Sequence, residues 1–148
     1  YTAAEAPPIL EVEEGYDKKN ARVLSIRQAG EAWNRPFIAI YEPSLNEKPT
    51  VQSIENIVDG GQVIGAKVVS HVAGQVITDL IIAREQAAGA YKNPAARLSF
   101  TGRFAIVRTV ESAKGRRVDL YIGDGKELSF DQYQVSAKGG KACKSFNI

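Results

Sequence analysis

Methionine is absent from this chain of 148 residues, and cysteine, histidine and tryptophan occur once each. A single thiol, Cys143, excludes an internal disulfide, and we interpret it as an incidental thiol of a terminal strand. With His71 as the one imidazole, a zinc site would have to take its remaining ligands from carboxylates and solvent. No apolar run approaches the roughly 20 residues of a membrane span. We therefore expect no metal, no cofactor and no membrane span.

The absence of methionine extends to the initiator, which leads us to expect a fragment of a longer multidomain chain. The length suits one domain over residues 1–148, and a domain of this size buries roughly two-thirds of the surface that its unfolded chain exposes. The formal net charge of +2 is close to balance and gives no reason to expect a nucleic-acid partner.

Short extended segments separated by turn residues run through the chain. The apolar stretch from Gln62 to Arg84 is rich in β-branched residues, which favour strands over a buried helix, and Ala73–Gly74 in its middle predicts a hairpin turn. Without helical patterns between the strands, the chain is predicted to be all-β, an antiparallel β-sandwich of ten to eleven short strands. The predicted strands are Ile9–Glu13, Arg22–Gln28, Phe37–Glu42, Val51–Val58, two within Gln62–Arg84, Leu98–Arg108, Arg117–Ile122, Glu127–Phe130, Gln132–Ser136 and Lys144–Ile148.

The segment Leu98–Arg108 has the period of a strand with one buried face. Gly102 interrupts its large side chains, as at a bend or a close backbone approach. A turn is predicted at Gly123–Gly125, between two of the later strands. The residues predicted to share one face of the first strand are Leu98, Phe100, Gly102, Phe104 and Ile106.

No set of residues forms a recognisable catalytic motif. Glu42 and Glu55 are isolated carboxylates on neighbouring predicted strands, and their spacing does not indicate an acid/base pair. The Asp-Gly steps at Asp59–Gly61 and Asp124–Gly125 lack the ladder of oxygen ligands of a calcium loop and are typical of turns. We therefore predict no catalytic residues.

Aromatic and basic residues in predicted loops indicate a carbohydrate contact, because sugar rings stack on aromatic faces and cations attract acidic sugars. Trp33 and Tyr91 fall in predicted loops, and Arg116 and Arg117 fall in a basic turn. Tyr121 falls in a strand and is interpreted as a wall residue. The predicted carbohydrate-binding residues are thus Trp33, Tyr91, Arg116 and Arg117.

The order of strand motifs resembles heparinase II/III-type polysaccharide lyases over residues 22–136. The similarity lies in Arg35–Pro43 (RPFIAIYEP) followed by Val51–Ile57 (VQSIENI), and in Phe100–Arg108 followed by Val118–Ile122 and Gly125–Leu128. In that family the chemistry uses tyrosine and histidine and is associated with a helical toroid and the neighbouring β region. No residue here matches a catalytic motif, and the chain has no toroid.

The resemblance implies the C-terminal β-sandwich region of such a lyase, in a periplasmic or secreted protein of a polysaccharide-degrading bacterium. Its partners would be the catalytic domains of the parent chain, with acidic polysaccharide as a second contact. Two other functions stay open at this point: an independent carbohydrate-binding module and a protein-interaction or assembly domain. A stand-alone enzyme is a further alternative, since distant residues can converge in the fold.

Overall fold

The computed structural model describes the backbone of residues 9–14 and 22–27, and residues 40, 42, 49–85 and 89–148 in full. The chain divides into a unit of residues 1–37 and a unit of residues 38–148. That residues 1–148 form one domain stays a prediction. The described strands are β1 (Ile9–Glu14), β2 (Arg22–Arg27), β3 (Val51–Asp59), β4 (Gln62–Val72), β5 (Gln75–Ala83), β6 (Tyr91–Asn93), β7 (Leu98–Ser112), β8 (Gly115–Phe130), β9 (Tyr133–Ser136) and β10 (Ala142–Asn147).

The first unit contains an antiparallel pair of strands, β1 and β2, with Ile9 opposite Arg27 and Glu14 opposite Arg22. This confirms the first two predicted strands. The predicted strand Phe37–Glu42 lies outside the described residues, apart from Ile40 and Glu42.

The second unit is an antiparallel sheet in the order β10-β8-β7-β5-β4-β3, with β6 paired to β7 and β9 paired to β8. The hairpin between β4 and β5 turns at Ala73 and Gly74, whose φ angles of 49° and 77° match the twist of a tight hairpin. Gly60 and Gly61, at φ of 58° and 83°, make the same kind of turn between β3 and β4. Both predicted turns are confirmed, and the chain is all-β and antiparallel as predicted.

The predicted turn at Gly123–Gly125 is wrong, because β8 continues through it for 16 residues. Gly125 lies opposite Gly102 of β7 at a shift in the strand register. A Cβ on Gly102 would overlap the Cα of Gly125 and would lie 2.5 Å from the Asp124 carbonyl oxygen. The glycines therefore mark a bend where two long strands approach each other closely, as predicted for Gly102.

The register shift exchanges the faces of β7. Phe100 is buried before the bend, whereas Ala105 and Val107 are buried after it. Phe104 and Ile106, which simple alternation placed with Phe100, are half-buried on the opposite face. An irregularity in the register shifts the alternation of side chains, so the predicted common face is correct only up to Gly102.

The bend folds the sheet over a hydrophobic core. Tyr133 of β9 and Phe146 of β10 pack with ring centroids 4.6 Å apart, although these strands flank opposite halves of β8. Such packing of two halves of a bent sheet gives a two-layered, sandwich-like arrangement. The buried core consists of Ile57, Ile64, Leu80, Ile82, Tyr91, Leu98, Phe100, Ala105, Val107, Val118, Leu120, Ile122, Leu128 and Phe130.

Candidate functional site

Of the predicted carbohydrate-binding residues, one lies outside the described residues and another is buried. Trp33 lies outside the described residues. Tyr91 lies on β6 rather than in a loop, because it pairs with Phe100 of β7, and only 3% of it is exposed. Its hydroxyl accepts a hydrogen bond from the Asn93 amide nitrogen at 3.2 Å. The loop position predicted for Tyr91 is therefore wrong, and its ring belongs to the core.

Arg116 and Arg117 point to opposite faces of β8, because successive side chains of a strand alternate. Arg116 lies on the core side, where two of its nitrogens are 3.5 Å from the Asp131 carboxylate and its guanidinium is 6.0 Å from the Phe130 ring centre. Its Nε is 3.8 Å from a Glu111 oxygen and has no hydrogen-bond partner among the described residues. Arg116 therefore links β8 to Asp131 and Glu111 within the fold. The two arginines do not form one basic site.

Arg117 lies on the face of the sheet opposite the core, which we call the outer face. A shallow groove of about 650 Å³ crosses the outer face over β7, β8 and β10. Cross-strand pairing places Tyr121 opposite Ile106 on one side and opposite Cys143 on the other. We call this surface the outer groove, and its lining residues are Ile106, Arg108, Arg117, Asp119, Tyr121, Cys143, Ser145 and Asn147.

Arginine–aspartate pairs fix the polar side chains of the outer groove. Arg108 donates to Asp79 through Nε at 2.7 Å and Nη2 at 2.9 Å, a bidentate arrangement. These hydrogen bonds, with the Asp79 charge and the nearby Asp119, hold the pKa of Arg108 above its usual value despite partial burial. Arg117 donates to Asp119 through Nε at 3.0 Å. The arginines are therefore held in defined orientations at the groove.

Tyr121 is the exposed aromatic residue of the outer groove, with 37% of its surface accessible. Its ring meets Phe104 edge to face, with centroids 6.2 Å apart and planes at 77°. This geometry is favourable for aromatic pairs and orients the tyrosine ring. From the sequence, Tyr121 was expected only as a wall residue. Its alternation with the buried Leu120 and Ile122 was the signal for an outward position.

The remaining candidate residues are not among those lining the outer groove, and two of them, Glu42 and His71, both hydrogen-bond to Thr50. Glu42 accepts hydrogen bonds from the Thr50 backbone nitrogen and hydroxyl at 2.5 and 2.6 Å, and Glu55 forms an ion pair with Lys67 at 3.3 Å. His71 is exposed near the β4–β5 turn. Within residues 40, 42, 49–85 and 89–148, no three His, Cys, Asp or Glu side chains group as metal ligands. The described part of the chain contains no helix long and apolar enough to cross a membrane.

Comparison with known proteins gives a family and a curated relative. Residues 51–147 match the family described as endo-acting ulvan lyase C-terminal domain. The chain is 41% identical over 138 residues to an endo-acting ulvan lyase of Formosa agariphila, covering 93% of this chain and 17% of that protein. No solved structure matches the chain. Because the family covers β3 to β10, this chain belongs to the C-terminal domain family of the endo-acting ulvan lyases.

Proposed function

We propose that the chain is a non-catalytic accessory domain of a polysaccharide lyase, acting beside catalytic domains in the same protein. The observation that carries the proposal is the match of residues 51–147 to a domain defined by its C-terminal position in such lyases. The chain spans 17% of the length of the relative from Formosa agariphila. Most of that relative therefore lies in regions that this chain does not represent, with room there for catalytic residues.

The arrangement of acid/base groups supports a non-catalytic role. Cleavage by elimination requires a positioned base to remove a proton. His71 lies exposed beside a hairpin turn, and Glu42 is engaged by Thr50. Hydrogen bonds from Thr50 lower the pKa of Glu42, so its carboxylate becomes a weaker base. Glu42 is therefore a poor general base at neutral pH.

We infer a parent of heparinase II/III-like architecture that works in the periplasm or outside the cell on acidic polysaccharide. The resemblance and the matched family agree on two points, which are the enzyme class and the C-terminal position of the domain. Ulvan, the polysaccharide after which the Formosa agariphila lyase is named, is the first polysaccharide to test.

A chimeric enzyme tests the accessory role. The matching region of the Formosa agariphila lyase would be replaced by this chain, and a second chimera would carry His71→Ala. We expect both chimeras to cleave ulvan at similar kcat, because the catalytic groups lie in the rest of the enzyme. A loss of cleavage confined to the His71→Ala chimera, with the same thermal stability, would contradict the proposal. Fractionation of cells that produce the full-length parent tests the extracytoplasmic location, and a parent found in the cytosol would contradict it.

A further inference from the structure

We propose that the outer groove binds an acidic sugar unit of a polysaccharide chain, with Tyr121 as the stacking residue and Arg117 as the main anion contact. The proposal deepens the accessory function and rests on it. Of the residues predicted from the sequence to bind carbohydrate that the structure describes, Arg117 lines the outer groove.

The apolar part of the outer groove suits the C–H face of a sugar ring. Tyr121 is partly exposed, and its edge-to-face contact with Phe104 restricts its motion before a ligand arrives. Ile106, directly opposite Tyr121 on β7, adjoins the ring on the same face. A preoriented aromatic side chain loses little conformational entropy on binding, which favours affinity.

The polar part of the outer groove suits a carboxylate or sulfate. Arg117 uses Nε for Asp119, and a guanidinium carries four further N–H donors beyond Nε–H, so a second anion can be accommodated. Ser145 and Asn147 of β10 lie opposite Asp119 and Arg117, where they offer a hydroxyl and an amide to neighbouring sugar hydroxyls. Acceptors and donors thus lie beside the aromatic ring.

The paired aspartates also limit how much long-range electrostatic attraction contributes to binding. Asp79 and Asp119 offset the charges of Arg108 and Arg117, so the groove has no large excess of positive charge. Recognition would then depend on short-range hydrogen bonds and stacking rather than on a long-range field. We therefore expect binding to weaken only moderately with salt, unlike the non-specific binding of a polyanion to a basic surface.

Binding to ulvan by the full 148-residue chain tests the proposal, with dextran as the uncharged comparison. We expect Tyr121→Ala and Arg117→Ala each to weaken ulvan binding about tenfold or more, a loss typical of a stacking or charge-assisted contact. Tyr121→Phe should bind nearly as wild type because it retains the ring. Lys92→Ala, an equal change of charge on the exposed side of β6, is the matched control.

Cys143 provides a second measurement that needs no substitution. It is the one thiol of the chain, is exposed, and lies opposite Tyr121 in the outer groove. Saturating ulvan should slow its alkylation by iodoacetamide severalfold, whereas dextran should not. Alkylation with a bulky maleimide should reduce ulvan binding in return.

Three results would overturn the groove as the binding site. These are no binding of ulvan by the wild-type chain, unchanged binding by Tyr121→Ala and Arg117→Ala, or equal losses in Lys92→Ala and Arg117→Ala. None of them bears on the accessory function, which fails separately if the isolated chain cleaves ulvan. The two proposals are thus distinguished by binding in one experiment and by cleavage in the other.

Discussion

Arg116 lies at the start of β8 and Asp131 directly follows its last residue, yet their side chains lie 3.5 Å apart. Fifteen residue steps of straight strand would separate them by about 50 Å. The short distance therefore shows that β8 folds back on itself, and the bend at Gly123–Gly125 is where it does so. The pair links the two halves of the sheet across the core.

We expect the Arg116–Asp131 pair to contribute modestly to stability. Asp131→Asn retains the shape of the side chain and tolerates the φ of 53°, so it removes mainly the charge that pairs with Arg116 and also with Arg97. Because the pair is partly exposed, the free energy of unfolding should fall by less than about 1 kcal/mol. Asp131→Ala should cost about 1 kcal/mol more, since alanine is strained at this φ. Urea denaturation of both variants checks this, and equal stabilities would contradict the assignment of backbone strain.

Gly102 should tolerate no side chain. In Gly102→Ala the new Cβ would overlap Gly125 and lie 2.6 Å from Cζ of Phe100, which is fully buried. We expect the free energy of unfolding to fall by about 3 kcal/mol or more, or the variant not to fold, because the backbones of two long strands must separate. Gly139→Ala is the control, since it combines a φ of 82° with open space and should cost only about 1 kcal/mol. Thermal unfolding of both variants should show a much lower Tm for Gly102→Ala.

Tyr91 should matter for stability and not for ligand binding. Its buried ring and its hydrogen bond with Asn93 place it in the core, so Tyr91→Ala should lower the free energy of unfolding by about 3–5 kcal/mol. Tyr91→Phe removes only the hydroxyl and should cost about 1 kcal/mol. If Tyr91→Phe remains folded but binds ulvan much less tightly than wild type, the core assignment is wrong.

The Glu42–Thr50 contact should make stability depend on pH in the acidic range. Hydrogen bonds from the Thr50 hydroxyl and backbone nitrogen lower the pKa of Glu42 from 4.5, outweighing the effect of burial. Because the folded pKa is below the unfolded one, the stabilisation is present above pH 4.5 and disappears as the pH falls through the folded pKa.

A pair of variants isolates the hydroxyl of Thr50. Thr50→Val should raise the pKa of Glu42 towards its ordinary value and flatten the loss of stability in acid, whereas Thr50→Ser should retain both. NMR titration of the Glu42 carboxyl and urea denaturation at several acidic pH values provide the measurements. An unchanged pKa in Thr50→Val would show that the hydroxyl does not hold the carboxylate.

Local patterns predicted the strands, the hairpins and the irregularity at Gly102, but not that β8 continues through Gly123–Gly125. β-Branched residues and the Ala73–Gly74 turn sufficed for β4 and β5, because these signals act between neighbours in the chain. At Gly123–Gly125 the same turn signal was misleading. A bent strand and a turn both need glycine, and only the close approach of Gly102 from another strand decides between them.

Predicting the outer groove would have required knowledge of how several strands pair. Alternation along β8 alone separates Arg116 from Arg117 and places Tyr121 outward, so this part could have been predicted. The orientation of Phe104 could not have been predicted, because the register shift near Gly102 reverses the face of the sheet on which its side chain lies. The approach of Cys143 to Tyr121 required the pairing of β10 with β8, which the sequence does not specify.

Ultraviolet absorbance during incubation of the purified chain with ulvan tests the non-catalytic accessory role most directly. A lyase creates unsaturated sugar ends that absorb in the ultraviolet. A non-catalytic accessory domain predicts no increase in absorbance over the polysaccharide alone, while the full-length Formosa agariphila lyase gives a clear increase under the same conditions. A steady increase with the isolated chain that is abolished by one substitution, such as His71→Ala, would contradict the account.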